Sequence, residues 1–206
     1  MPAGTITTSD KVIFDDVDDS NATKSSTVSD LLALVTTGSM VLLDTQTAST
    51  SANIDFSSSI TGTYTHYRVV LESVLPATDD VRMGIQYSQS STFITSGYAW
   101  INDDVRNGTA FVGNSTSDTR IYCHGEGVSN VSTEGGFNAT IDFYDVGASK
   151  QTSVAGYTFS QSAAATTWDL SKFGGALVST TAIDGIRFLF ASGNITSGTF
   201  KIYGIS

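Results

Sequence analysis

The 206-residue chain carries 10 Lys and Arg against 20 Asp and Glu, a formal net charge of −10, with 40% hydrophobic and 15% charged residues. A chain of this length buries about 70% of the surface it exposes when unfolded, so neither disulfides nor a metal is required to hold it. The acidic balance disfavours electrostatic binding to nucleic acid or an anionic membrane, and the single Cys123 excludes an internal disulfide framework and a cysteine-based zinc cluster. Ser and Thr make up about 28% of the residues, and the acidic groups are nearly all Asp, with Glu only at 72, 126 and 134. Asp, Ser, Thr and Gly favour turns and strands over helices, so composition predicts an all-β protein. No apolar run reaches the length of a membrane-spanning helix. Met1 to Asp10 lacks the basic start and apolar core of a secretory signal. These readings predict a protein made in a cytoplasm, without membrane insertion.

Residues 1–39 read differently from the rest. A short apolar run, Val12-Ile13-Phe14, precedes the acidic stretch Asp15-Asp16-Val17-Asp18-Asp19-Ser20-Asn21. The strongest helix signal follows: Thr27 caps, Asp30 stands three residues on in a T-x-x-D box, and Leu31, Leu32, Leu34 and Val35 form an apolar face closed by Gly38. An isolated helix of about eleven residues is marginal in water. Val12, Ile13, Phe14, Leu31, Leu32, Leu34 and Val35 therefore need a partner surface, and the segment is read as an attachment or oligomerisation arm.

From residue 40 to residue 206 strand signals dominate. Tyr67, Val69 and Leu71 alternate with Arg68, Val70 and Glu72, and Met83, Ile85 and Tyr87 with Arg82, Gly84 and Gln86. Ile141 and Phe143, then Ile186, Phe188 and Phe190, keep the same period, and residues 199–205 close the chain as a further alternating strand. Turn clusters such as Thr78-Asp79-Asp80, Asn107-Gly108 and Ser192-Gly193-Asn194 separate them. Short strands so punctuated predict an antiparallel β-sandwich of jelly-roll type, carrying an N-terminal arm with one short helix. The Ser/Thr-rich stretch 45–52 is low in complexity.

Candidate chemistry is sparse. Cys123-His124 places a thiol beside a base, but neighbours on a strand point to opposite faces and do not form a nucleophile–base pair. None of the three Glu sits in an evident carboxylate pair for glycan hydrolysis. Asp16, Asp18 and Ser20 have calcium-like spacing, yet the turn glycine and the closing bidentate Glu of an EF-hand loop are missing. No catalytic residue, cofactor or metal is expected. Six Asn-x-Ser/Thr sequons, at Asn21, Asn107, Asn114, Asn130, Asn138 and Asn194, suit turn asparagines in a chain rich in Ser and Thr. Tyr64, Tyr98, Trp100 and Trp168 lie in or beside turn-rich segments, and the stretch 95–104 is the candidate ligand-contacting loop. Tyr98 and Trp100, two residues apart, share one strand face: they form either a ligand platform or part of the core.

Two segments, Asp10-Lys11-Val12-Ile13-Phe14-Asp15 through Leu34 and residues 184–205, resemble phrases recurrent in tailed-bacteriophage fibre and virion proteins. The first has the D-K-x-hydrophobic start, the acidic Asp18-Asp19-Ser20-Asn21-Ala22-Thr23-Lys24 and a capped helix. The second resembles the closing hairpin of their small β-sandwich domains. The resemblance implies a non-enzymatic virion structural protein, a homotrimer with an N-terminal attachment segment and a displayed β-domain. As a tail fibre or receptor-binding tip it would contact other virion proteins and a host surface glycan, with Tyr98 and Trp100 as contacts. The alternatives are a capsid decoration (cement) protein and a glycan depolymerase.

Overall fold

The computed structural model describes residues 7–16, 22–30, 40–162 and 167–206. The chain divides into two compact units, residues 1–41 with residue 206, and residues 42–205. In the first, β1 (Lys11–Asp16) pairs antiparallel with β2 (Ala22–Thr27), Lys11 opposite Thr27 and Asp16 opposite Ala22. Of the acidic stretch, Asp15 and Asp16 end β1, and residues 17–21 lie outside the described residues. β2 is a strand the sequence reading lacks, because its residues are polar on both faces and only pairing with β1 makes a strand of them. The T-x-x-D box forms: Thr27 N–H and Oγ1–H donate to Asp30 Oδ2 at 3.1 and 2.6 Å, and Asp30 N–H donates to Thr27 Oγ1 at 3.1 Å. The Thr27 hydroxyl and amide hold the Asp30 carboxyl below its ordinary pKa. Residues 28–30 turn helical, and the remainder of the expected helix lies outside the described residues.

The second unit takes up eight strands in jelly-roll order. β3 (Met40–Ser51), β4 (Ile54–Phe56), β5 (His66–Pro76) and β6 (Met83–Gln89) alternate between two sheets. After β6 comes an insertion: the two-residue β7 (Thr92–Phe93), then β8 (Tyr98–Arg106) and β9 (Thr109–Asp118). β10 (Ile121–Tyr122) and β11 (Phe137–Tyr144) resume the roll, with a 3-10 turn at Ser132–Glu134 between them. A second insertion, β12 (Ser153–Gln161) and β13 (Trp168–Leu177), precedes the closing β14 (Gly185–Phe190) and β15 (Ile195–Ile205). The smaller sheet runs β10-β6-β14-β4 and the larger β3-β15-β5-β11-β12-β13-β8-β9. Without the insertions, four strands face four: β3-β15-β5-β11 and β4-β14-β6-β10, the paired Greek keys of a jelly roll. The antiparallel β-sandwich expected from the strand periodicity is therefore the fold. The insertions widen one sheet by four strands, β12, β13, β8 and β9.

Asn107 and Gly108 close the β8–β9 hairpin with φ of 45° and 85°, between Arg106 and Thr109 in register. A two-residue loop with both φ positive matches the twist of the flanking strands. Between the sheets the alternating residues meet as expected: Tyr67, Val69, Ile141 and Phe143 from the larger against Ile85, Tyr87, Ile186 and Phe188 from the smaller, all fully buried. Phe188 is the hub. Its ring stands edge-on to Phe56 and Phe143, both with centroids at 6.3 Å, and tilted against Phe200 at 5.6 Å. Truncating a buried phenylalanine costs about 3–5 kcal/mol. Phe188→Ala is expected to lose that much in urea unfolding; a loss below about 1 kcal/mol would contradict this packing.

Candidate functional site

The four strands next to β5 in the larger sheet build the site on their solvent face. Register sets outward residues in rows. One row runs Asp142, Ala155, Gly174, Ile101 across β11, β12, β13 and β8, and the next runs Thr140, Tyr157, Lys172, Asp103. Ala155 and Gly174 leave the first row low, while Tyr157 and Lys172 stand up in the second. The result is a groove of about 490 Å³ lined by Ile101, Asp103, Asp142, Tyr144, Tyr157 and Lys172 among others.

Its polar groups are held in pairs. Arg68 Nε and Nη2 donate to the two oxygens of Asp142, both at 2.9 Å, and His66 Nε2 lies 3.0 Å from Asp142 Oδ1. Burial pushes the Asp142 carboxyl up, but the hydrogen bonds from Arg68 and His66 outweigh it and hold it below the ordinary carboxylate range. The Tyr144 ring stacks on His66 with centroids 4.7 Å apart. Across the groove Lys172 Nζ lies 2.9 Å from Asp103 Oδ2. Tyr157 is 69% exposed. Two tyrosine faces with fixed donor and acceptor groups between them suit a ligand that is both ringed and hydroxylated.

The candidate contacts Tyr98 and Trp100 lie elsewhere. Both belong to β8 and point inward, Tyr98 fully buried and Trp100 8% exposed. Tyr98 Oη accepts from Tyr87 N–H at 2.8 Å and donates to the Ile94 carbonyl at 3.0 Å, and burial pushes its pKa up to about 12. Trp100 Nε1 donates to Asp118 Oδ2 at 3.0 Å, with the indole edge-on to Tyr122. Of the two readings open from the spacing, the burial of both side chains matches the core one. The stretch 95–104 does reach the groove, through Ile101 and Asp103 on the other face of the same strand. Tyr64 packs edge-on to Tyr67, and Trp168 is half-exposed, stacked on Phe159 with centroids at 5.5 Å. In the N-terminal unit Val12 and Ile13 are exposed, Phe14 lies in β1, and Leu31, Leu32, Leu34 and Val35 fall outside the described residues.

Cys123 and His124 are both fully buried. His124 Nε2 accepts from Met83 N–H at 2.9 Å, and burial, then the Arg82 charge, holds its pKa down at about 3. Burial raises the Cys123 thiol far above its ordinary value. A neutral imidazole with its lone pair engaged cannot activate a protonated thiol. Among the described residues no group of three or more His, Cys, Asp or Glu is placed to hold a metal ion.

A buried acidic cluster escaped the sequence reading. On the inner face, Asp169 of β13 pairs in register with Arg106, and Ser171 with Asp104. Arg106 bridges Asp104 at 3.0 Å and Glu126 at 2.8 Å, and Ser171 Oγ lies 3.2 Å from Asp169 Oδ1. Asp104 and Asp169 are each 1% exposed, and one oxygen of each lacks a hydrogen-bond partner. One guanidinium does not balance three carboxylates. Burial first, then the Asp104 charge, pushes the Asp169 carboxyl up to about 6.

Comparison with protein families, with curated proteins and with solved structures finds no match to this chain.

The raised Asp169 makes stability fall with pH. Its folded pKa of about 6 lies above the unfolded value of about 3.9, so the folded state binds the extra proton between them. Its contribution is full below about pH 4, falls as pH rises through about 6, and differs by about 3 kcal/mol across that window. Asp169→Asn removes this titration. The variant is expected to match the parent near pH 4 and exceed it by up to that amount at pH 8 in urea unfolding. An equal difference at both pH values would contradict the assignment.

Proposed function

We propose that the chain is a non-enzymatic structural protein of a tailed-phage virion, a fibre or receptor-binding tip whose jelly roll presents a glycan-binding face. The observation that carries this is the groove between Tyr144 and Tyr157. A sugar ring offers an apolar face for stacking and hydroxyls that donate and accept together. The pairs Asp142–Arg68 and Asp103–Lys172 set an acceptor beside a donor, which matches neighbouring hydroxyls. The N-terminal unit supplies attachment and trimerisation, as the resemblance of its sequence to fibre and virion proteins suggests. A displayed jelly roll on such an arm would meet the host surface first.

The geometry favours binding over turnover. A general acid needs a raised carboxyl within reach of the glycosidic oxygen. Asp142 is held low and Asp103 is tied to Lys172, while the raised Asp169 sits on the inner face. Both of these groove carboxylates are thus engaged by cations, which supports the binding reading over a depolymerase. The decoration reading draws on the exposed apolar side chains Val105, Phe159, Trp168 and Leu170 of the same sheet, which a neighbouring capsid subunit would bury.

Tyr157→Ala is expected to cut retention of the full-length chain on host surface polysaccharide by about tenfold or more, with an unchanged unfolding midpoint, because the side chain is exposed. Undiminished retention by the folded variant would contradict the proposal. A decoration role would show instead as particles that lose heat resistance when they lack the protein while adsorbing normally.

A further inference from the structure

Tyr157 lines not one depression but three. Beside the groove described above, a second hollow of about 370 Å³ opens on its other side, with Thr140, Asn138, Phe159, Leu170 and Glu72 in its wall. A third of about 170 Å³ lies between Tyr157, Leu170 and Val105. The lining residues come from β5, β11, β12, β13 and β8, five adjacent strands that span about 19 Å at the usual strand separation.

We infer that these hollows form one track and that its occupant is an uncharged glycan chain of several sugar units, laid obliquely over the strands and passing Tyr157 near its middle. The inference rests on the glycan reading above and adds length, direction and charge to it. Charge is argued from the pairs. Asp142 is held by Arg68, Asp103 by Lys172 and Glu72 by Lys201, the last with Nζ 2.9 Å from both carboxylate oxygens. A molecule of net charge −10 thus presents a face on which these carboxylates are each matched by a cation. An acidic polysaccharide would have to compete with those carboxylates for the same cations, and a cationic ligand would have to displace the cations.

A peptide fits less well. Peptides joining a sheet draw affinity from unpaired backbone groups at an edge. The track instead crosses β13, β12 and β11, which are flanked on both sides by paired strands, and it offers the ligand no unpaired strand edge. The small residues Ala155 and Gly174, and Thr140 on the far side of Tyr157, give room for rings to lie flat between the side chains that stand up.

The test is an array of neutral and uronic-acid glycans graded from one to eight units, probed with the full-length chain and with Tyr157→Ala and Leu170→Ser. Signal is expected on neutral glycans, rising by about tenfold or more between one and four units. Tyr157→Ala should lose binding at every length. Leu170→Ser should reduce long glycans to the level of short ones, both variants keeping the parental melting profile. Binding independent of length, or a preference for uronic acids, would overturn the track while leaving the glycan reading in place. No signal on any glycan would overturn both. Self-association of the chain that Leu170→Ser abolishes would assign the face to a second copy and overturn the track.

Discussion

The apolar layer between the two sheets governs the rest of the molecule, and Phe188 is where rings from both sheets meet. A sandwich is stable where two faces cover each other, but here the faces differ in width. The larger sheet carries four inserted strands, and the smaller has only the two-residue β10 on that side. Ile121 of β10 is buried against Gly175 of β13, where a side chain in place of the glycine would collide with it. Farther along β8 and β13, the loop at 123–129 takes over, and Gly125 packs directly on the Asp104 carboxylate. Inward residues change accordingly, from Trp100 and Phe173 to Asp104 and Asp169. The buried acidic cluster is a consequence of that mismatch, since a polar loop rather than an apolar strand forms the cover.

The same mismatch creates the outer face. Inserted strands paired on both sides have no free edges except β9, so their exposed surface is made of side chains. On this face the sheet need satisfy no core, and it is free to present Tyr157, Tyr144, Lys172 and the half-exposed Phe159 and Trp168. Placing small residues between large ones gives the groove its floor. The ion pairs give its walls fixed donor and acceptor directions, because each partner orients the other. The proposed ligand-binding role draws on shape, ring faces and charge balance together.

Strands of the jelly-roll core were legible because one face of each is buried by the other sheet. Tyr67-Val69-Leu71 and Ile186-Phe188-Phe190 show that period directly, and each is buried as its spacing requires. The inserted strands were not legible for the opposite reason. β9 is largely exposed on both faces, and β12 and β13 put Ser160, Thr158, Ser171 and Asp169 on their inner side. In β12 and β13 the large apolar residues Tyr157, Phe159, Trp168 and Leu170 face outward and polar ones face inward, so the period points to the wrong face and only pairing reveals which side is covered. The low-complexity stretch at 45–52 proved to be most of β3 for a related cause: small polar residues hide a strand whose place is set by β15. In the candidate ligand-contacting stretch 95–104, Tyr98 and Trp100 face the core while Ile101 and Asp103 face the groove. Period two separates those residues, but which of two polar-apolar mixed faces is buried depends on strands far away in the chain. Asp142, Arg68 and His66 come from β11 and β5, so no local pattern joins them with Tyr157.

The central claim, that the outer face of the widened sheet is a ligand surface, is tested most directly by backbone amide shift mapping. The 15N-labelled full-length chain would be titrated with fragments of host surface polysaccharide. The account predicts saturable shifts concentrated at residues 101–103, 142–144, 155–159 and 170–174. Shifts confined to the loops at the ends of the sandwich or to residues 1–41, or none at saturating concentration, would contradict it.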